Sequence, residues 1–451
     1  MSAEAGPVPV PQRLSIVLPT TGEFDSRTFR IASGLAARGH TVTVLARTGP
    51  GLPAEERHPA GYRILRVAVS PIDGLPLPAP LRGLVRAVAA RRDPAPGDGA
   101  GAPASAASEG PLGGLAAVPL RLLRAIGRVA GRALAVRAQV RATRAIAPAA
   151  DLVHGMAYMG IPVALAIARG TGARVVYDAR DIYVDAANLA RLPGPFRALL
   201  GRVERGWARR ADRVMTVNRP YAEVMAERFG VPLPAIVVNC AYRFESGDPP
   251  PRRFHERLGL PATTRVVLYQ GGLAAHRGIE QLIEAIPDVP DAVLVLLGYG
   301  PMQGALEGLA ADTASPAAGR LHVVPGVPPA ELLDWVASAD VVAMPIQPST
   351  LNHRLTTPNK LFEAMAAGVP VVASDLPGMA AIVRETGCGL LVDPTDPVAI
   401  AATLRAVLDA SPEERRGWRE RSLAAARGTY GWEHQLGILL EEYGRLTGRP
   451  W

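Results

Sequence analysis

Lysine is all but missing from this sequence: of 49 basic residues only Lys360 is a lysine, and every other is arginine. Cysteine is nearly as scarce. Cys240 and Cys388 lie far apart, which argues against a disulfide framework and fits a reducing compartment. Aromatic residues make up 5% of the chain, and the wealth of Ala and Arg matches GC-rich coding bias, so arginine abundance alone carries little weight. No uncharged apolar run reaches the ~18 residues of a membrane span. The opening "MSAEAGPVPVPQR" has neither the basic start nor the apolar core of a signal peptide, so a cytoplasmic protein is expected. No G-x-G-x-x-G follows the first apolar run, which leaves a nicotinamide cofactor unsupported. No Ser/His/Asp, Cys/His or metal-ligand cluster stands out either. Neither a covalent nucleophile nor a metal or other cofactor is expected.

What is present begins with charge. The net charge is +8, and between Pro80 and Ala147 eleven arginines face only Asp93, Asp98 and Glu109, which accounts for the whole excess. The rest of the chain is balanced, against a general nucleic-acid binder. On a helical wheel Arg121, Arg124, Arg128 and Arg132 share one face, with Leu122, Leu123, Ile126, Val129 and Leu134 opposite. That pattern suits an anionic membrane interface, which would make the protein peripheral on the inner face of the plasma membrane. A helix packed on its own domain, with a solvated basic face, reads the same way. Residues 93–111 are of low complexity and are expected to be disordered.

Along the chain, strands and helices alternate twice over. "RLSIVLP", a loop, a helix from about Arg27 to Ala37, and "TVTVLAR" form a strand–loop–helix–strand unit of the doubly wound kind. "RILRVAV", "DLVHGM", "ARVVYDA", "DRVMTVN" and "AIVVNC" continue it. "RFESGDPPPRRFHERLGLPATT" reads as a linker. The pattern then restarts with "RVVLYQGG", "AVLVLLGYG", "LHVVPG", "DVVAMPI", "PVVAS" and "GLLVDP". Two α/β domains are expected: 1–243, carrying the low-complexity and basic segment 93–147, and 262–425. A C-terminal helix, 426–451, is expected to pack back on the first. Two such domains face to face leave a central cleft lined by the carboxyl ends of their strands.

Lys360 lies in "PNKLFEAMAAGVPVVAS" (358–374). Thr357 is placed to cap a helix, Pro358 suits its first turn, and Gly368 ends it. A cation at a helix N-terminus opposes the macrodipole, at a cost of roughly 0.3–1 kcal/mol when exposed. The same end binds anions, so a compact ammonium there makes sense beside a phosphate. A merely tolerated, solvated lysine is the competing reading.

These stretches resemble a known family. "YQGGLAAHRG", "LLGYGP", "VVPGVPPAELLDWVASADVVAMP", "PNKLFEAMAAGVPVVAS" and "GCGLLVDPTDP" are similar to the GT-B-fold glycosyltransferases of family 4, the retaining group that uses nucleotide-sugar donors. "DSRTFRIASGLAARGHTVTVLAR", "DLVH", "VVYDARD" and "ADRVMTVN" resemble the acceptor domain of such enzymes. The likeness implies two Rossmann-like domains and a nucleotide-sugar donor. It implies that Glu363 accepts hydrogen bonds from the nucleotide ribose, and that Arg277 clamps the diphosphate with help from Lys360. Val324, Gly326 and Val327 correspond to the nucleobase segment. Gly271, Gly272, Gly298, Asn359 and Leu361 fall along the donor path, and Gly22 borders the phosphates. Asp178, Arg180 and Asp181 are candidates for the acceptor side. His154 reads as structural.

The implied chemistry is retaining transfer of a sugar to a hydroxyl acceptor, in cell-surface polysaccharide or glycolipid synthesis, with a lipid-linked or polysaccharide acceptor. Three positions depart from the family pattern. Leu355 stands where a second glutamate is common, Gly272 replaces an arginine, and Met156 replaces a histidine. A catalytically silent scaffold in a polysaccharide-assembly complex and a nucleotide-sugar epimerase therefore remain alternatives.

Overall fold

The computed structural model describes residues 11–23, 25–75, 78, 81, 114–245, 247 and 250–451, with backbone only at 71, 74, 114–126, 128, 129, 187 and 188. The low-complexity stretch 93–111 lies outside the described residues. The chain forms two units. The first comprises Met1–Thr216, Ala222–Ile236 and Ile438–Trp451, and the second Val217–Tyr221 and Val237–Gly437.

The first unit starts with β1 (Arg13–Val17), α1 (Ser26–Ala36), β2 (Thr41–Arg47), β3 (Glu55–Arg57) and β4 (Arg63–Val67). It continues through α2 (Gly114–Ile146), β5 (Leu152–Met156), α3 (Ala157–Thr171) and β6 (Arg174–Asp178). Then come α4 (Gly194–Ala208), β7 (Arg213–Thr216), α5 (Arg219–Phe229) and β8 (Ala235–Ile236). The sheet order is β3-β4-β2-β1-β5-β6-β7-β8, and every pair is parallel except β3–β4. Strand stretches such as "SIV" and "VTVLA" are buried at every position, not at alternate ones, because helices cover the sheet. Asp25 caps α1, its carboxylate accepting from Thr28 N at 2.9 Å.

Within the basic segment, residues Gly114–Ile146 form one long helix, α2, whose C-terminal half packs into this unit. Ala138, Gln139 and Thr143 are buried, and Gln139 Nε2 donates to Leu18 O at 2.8 Å. Of the four arginines expected on a membrane face, only the Arg132 side chain is described. It is half-buried, and its Nη1 is enclosed without a hydrogen-bond partner. That is a correction at this position: Arg132 has turned inward because the C-terminal part of α2 is a packed helix.

The second unit opens with α6 (Arg253–Leu258), where the sequence reads as linker. Phe254 makes the difference: it is fully buried and meets Trp335 edge-on at 5.2 Å, so six residues are drawn into a helix. There follow β9 (Arg265–Gly272), α7 (Ile279–Ala285), β10 (Ala292–Tyr299), α8 (Gln303–Ala311), β11 (Leu321–Pro325), α9 (Leu332–Ala337) and β12 (Val341–Met344). The unit continues through α10 (Leu351–Leu355), α11 (Asn359–Ala367), β13 (Val371–Ser374), α12 (Pro377–Thr386), β14 (Gly389–Val392), α13 (Pro397–Leu408) and α14 (Pro412–Arg427). Its sheet is wholly parallel, in the order β11-β10-β9-β12-β13-β14. The order reverses between β9 and β12, the switch point at which doubly wound sheets bind ligands. The last helix, α15 (Trp432–Thr447), starts in the second unit and passes into the first after Gly437.

No helix among the described residues is long and apolar enough to cross a membrane.

Candidate functional site

The switch point of the second unit is built from glycines that admit no side chain. A Cβ on Gly298 would collide with the carbonyl of Gly271, and one on Gly278 with the carbonyl of Pro345. Strand β9 therefore ends flush against β10, and the turn after it folds onto the residue following β12. His276 is held in the left-handed region at φ 65°, unusual for a side chain with a Cβ. Its carbonyl accepts from Gln347 N at 3.1 Å, which fixes the turn carrying Arg277.

Into this end of the sheet α11 points its N-terminus. Pro358 is the N-cap, with no side-chain cap bond. Thr357 does not cap the helix as expected, because its hydroxyl accepts instead from Asn218 Nδ2 at 3.2 Å. Lys360 is only 8% exposed, as is Glu363 one turn on. The Lys360 ammonium stands 3.3 Å from the centre of the Tyr269 ring, and its Nζ has no hydrogen-bond acceptor. A Cβ built on Gly271 would lie 3.8 Å from that nitrogen, an ordinary contact, so it is the φ of 116° that favours glycine here. Tyr269 is fixed in turn, its hydroxyl donating to Gly272 O at 2.9 Å.

The electrostatics follow from burial. Desolvation pushes the Lys360 proton affinity well down, Arg277 pushes it further, and Glu363 opposes them. His353, on α10, is lowered to about 4, first by burial and then by Arg277 and His276. Its Nδ1 lies 2.8 Å from Ser349 Oγ. Arg277 and Lys360 thus bring two basic side chains together at the end of β9, beside His276 and His353. Gln270, 2% exposed, adds an amide with neither Nε2 nor Oε1 hydrogen-bonded. Buried polar groups are nearly always satisfied, so these orphans mark a place shaped to meet something polar.

The other donor-side residues distribute unevenly. Asn359 Oδ1 accepts from Asn239 Nδ2 at 2.9 Å, and the Leu361 side chain is fully buried, leaving only its backbone to face a ligand. Val324 is buried at the end of β11, whereas Gly326 is exposed and lies under the Tyr299 ring. Tyr299 is itself 59% exposed. A Cβ at Gly272 would meet nothing, so the arginine common in the family would have had room there. Gly22, in the first unit, takes φ 87° in the loop after β1. Sequence reasoning missed His276, His353, Tyr269 and Gln270. "AHRG" and "YQGG" contained three of them; His353 had no signal, since its approach to Arg277 is tertiary.

In the first unit the acceptor-side candidates separate. Asp178 is completely buried; Oδ2 takes Arg27 Nε at 2.6 Å and lies 3.1 Å from His154 Nε2. That corrects its expected place on the acceptor side: Asp178 balances an internal charge. Arg180 is pinned by both oxygens of Asp25, at 3.0 and 2.8 Å, and Asp181 is half-buried beside it. Met156 is fully buried at the end of β5. His154 is buried too, its Nδ1 2.5 Å from the Tyr443 hydroxyl.

Comparison with known proteins bears on the family and the fold. The model for "Glycosyl transferases group 1" matches residues 264–410, and that for "Glycosyl transferase 4-like domain" matches 25–241. A D-inositol 3-phosphate glycosyltransferase of Xylanimonas cellulosilytica is 31% identical over 277 residues, 58% of this chain and 64% of the relative, so the match spans just under two thirds of that enzyme. Sucrose-phosphate synthase from Thermosynechococcus elongatus superposes with a TM-score of 0.67 at 20% identity, covering 97% of this chain and 99% of that one. Anabaena HepE, solved in complex with UDP-glucose, superposes with a TM-score of 0.64 at 15% identity, covering 96% and 100%. With one family model on each unit and a common fold along nearly the whole length, the chain belongs to the GT-B-fold glycosyltransferases of family 4.

Proposed function

We propose that the protein is a retaining glycosyltransferase that moves a sugar from a nucleoside-diphosphate donor to a hydroxyl acceptor. The observation that carries this is Lys360: the sole lysine, buried, without an acceptor, at the switch point of the second unit. A buried cation lacking a partner is costly, and a diphosphate would supply that partner. Arg277 and Lys360 would stabilise the negative charge that grows on the leaving diphosphate. Glu363 would receive the ribose hydroxyls. The bond from the anomeric carbon to the phosphate oxygen breaks, the acceptor oxygen bonds to that carbon on the same face, and the acceptor proton passes to the departing phosphate. Orientation and charge stabilisation do the catalysis, and no covalent nucleophile is invoked.

A uridine diphosphate sugar is the favoured donor, supported by the UDP-glucose of HepE. The inositol 3-phosphate relative supports a hydroxyl acceptor on a compact polar ring. A role in polysaccharide or glycolipid synthesis, at the inner face of the membrane, rests on the arginine face of α2. Liposome binding should then fall when Arg121, Arg124 and Arg128 become glutamate, and binding unchanged by those substitutions removes the membrane reading.

The first test is a thermal-shift titration with nucleotides and nucleotide sugars, on wild type and Lys360→Ala. A ligand that binds only the folded state raises apparent stability by mass action. One nucleotide class should stabilise the wild type and not the variant. Stabilisation without turnover on any acceptor would favour the silent scaffold, which the departures at Leu355, Gly272 and Met156 would explain. No stabilisation at all would overturn the reading.

A further inference from the structure

Between α4 and α5 the first unit carries a recess of about 490 Å³, within the range of small-molecule sites. Its floor is apolar, made by Ile182, Val184, Met225 and Phe229. One polar group is set into that floor. Glu204 is 2% exposed, and its Oε1 accepts from the Tyr177 hydroxyl at 2.6 Å, while the residue lines the recess. Four arginines, 197, 202, 205 and 228, also line it. Asp185 grips Arg197 and Arg228, each at 2.6 Å, and so holds two guanidinium groups in place. Arg202 and Arg205 are exposed and form no ion pair among the described residues. The recess is thus an apolar floor under an excess of positive charge.

We propose that this recess is a second ligand site, taking a compact oxyanion, a carboxylate or a phosphate monoester, carried on an apolar or aromatic body. The guanidinium forks suit a planar or tetrahedral oxyanion, and the floor suits the body. A buried carboxylate among them would repel such a ligand, but burial raises Glu204 to about 7, against the opposing pull of the Tyr177 bond and Arg228. Protonated, Glu204 becomes a donor. The groups that act on it from other elements are Tyr177 on β6, Tyr158 on α3, Tyr183 after β6, and Arg228 on α5, the last held by Asp185. Burial pushes all three phenols above their ordinary value, whereas it brings Glu204 to about 7. Affinity for the anion therefore increases as pH falls through about 7. The wall formed by 182–184 continues directly from Arg180 and Asp181, so an occupant would act on that loop. This inference stands apart from the donor reading, because the donor-side cluster belongs to the second unit.

The test is calorimetric titration of the full chain with phenyl phosphate and with benzoate, with inorganic phosphate and benzyl alcohol as the bare anion and bare ring. One or both of the first pair should bind saturably, severalfold tighter at pH 6 than at pH 8, and well above both controls. The tighter of the two names the oxyanion. Arg202→Glu with Arg205→Glu, both exposed and so tolerated by the fold, should weaken binding at least tenfold. Glu204→Gln preserves an acceptor for Tyr177 and should flatten the pH dependence. Lys360→Ala should leave binding unchanged. The proposal falls if neither probe binds, if the controls bind as well, or if the arginine pair can be reversed without effect. It also falls if Lys360→Ala abolishes binding while the arginine variant keeps it, since the probe would then be reporting the donor side.

Discussion

Lys360 holds its ammonium 3.3 Å from the centre of the Tyr269 ring, an approach in which the ring face is the nearest source of negative potential. A π-face satisfies a cation only in part, and Nζ keeps no hydrogen bond. Tyr269 lies within the β9 core and its hydroxyl is tied to Gly272, so the ring is a fixed floor. The lysine is thus held in position but left electrostatically unfinished.

Lys360→Met should therefore move stability and activity in opposite directions. Replacing a buried, unpaired cation by an apolar chain of similar length should leave the unliganded protein as stable as before, or more so. Loss of one stabilising charge from the leaving group should lower kcat by about 10²-fold. Thermal unfolding and turnover on the same preparation decide the matter. A variant that is both destabilised and fully active would assign Lys360 a structural role.

Donor binding should also take up a proton. Burial and Arg277 depress Lys360, with Glu363 opposing, so the free protein favours the neutral amine more than an ordinary lysine does. A bound diphosphate favours the charged form and raises its proton affinity. Between the free and bound values binding is coupled to proton uptake, and affinity falls as pH rises through that window. Calorimetry in buffers of different ionisation enthalpy reads this directly, and the coupling should vanish in Lys360→Met. For folding the sign follows from the unfolded chain, which holds this proton more firmly. Lys360 therefore detracts from stability as pH falls below the ordinary lysine range toward its folded value.

Much of this site was legible beforehand because it is local. The lone lysine, the helix break at Gly368 and β9 ending in its two glycines are encoded in short stretches. Other parts depend on distant partners. Thr357 looked like a cap until Asn218 claimed its hydroxyl, a pairing across 139 positions. Asp178 looked like a site residue at a strand end, yet Arg27, 151 positions away, draws its carboxylate inward. The linker became a helix because of one phenylalanine with a buried partner. The recess under Glu204 had no motif at all, since its walls come from three separate segments.

Glu204 should give the fold a pH dependence of its own. With a folded value of about 7 against an ordinary 4.5, the folded chain keeps a proton that the unfolded chain loses. The stabilisation is fully present below the ordinary glutamate range and is lost as pH rises through about 7. Across that span it amounts to at most about 3 kcal/mol. Glu204→Gln should remove this slope from urea-unfolding free energies measured between pH 5 and 8. An identical slope in the variant would place the titration elsewhere.

Asp178 offers a test of internal charge balance. Burial pushes its carboxyl up, but Arg27 and His154 outweigh that and hold it well below the usual carboxylate range. Asp178→Asn removes the carboxylate facing a fully buried guanidinium, which should cost about 3–5 kcal/mol. The double change Arg27→Met with Asp178→Leu should cost less than the single one, because no buried charge is left behind. Denaturant unfolding of the two variants checks the order, and a larger loss in the double change would contradict it.

The last fourteen residues close the first unit from within. Tyr443 brings its hydroxyl to 2.5 Å from His154 Nδ1, Glu442 takes Arg213 Nε at 2.7 Å, and Pro450 O accepts from Gln12 at 2.7 Å. Leu439 and Tyr443 are fully buried, and the Trp451 ring lies 5.1 Å from that of His40. Each large apolar side chain contributes about 1.5–3 kcal/mol by burial, so three of them approach the net stability of a whole domain. Deleting Ile438–Trp451 should therefore unfold the first unit. The second unit, whose own bonds to α15 end at Trp432 and Gln435, should keep a cooperative transition. Removing only residues 449–451 should cost the Trp451 and Gln12 contacts and lower the melting temperature by several degrees. Scanning calorimetry separates these outcomes. An unchanged profile after the longer deletion would mean that the buried His154–Tyr443 pair is dispensable, and with it the closure of this unit by its C-terminus.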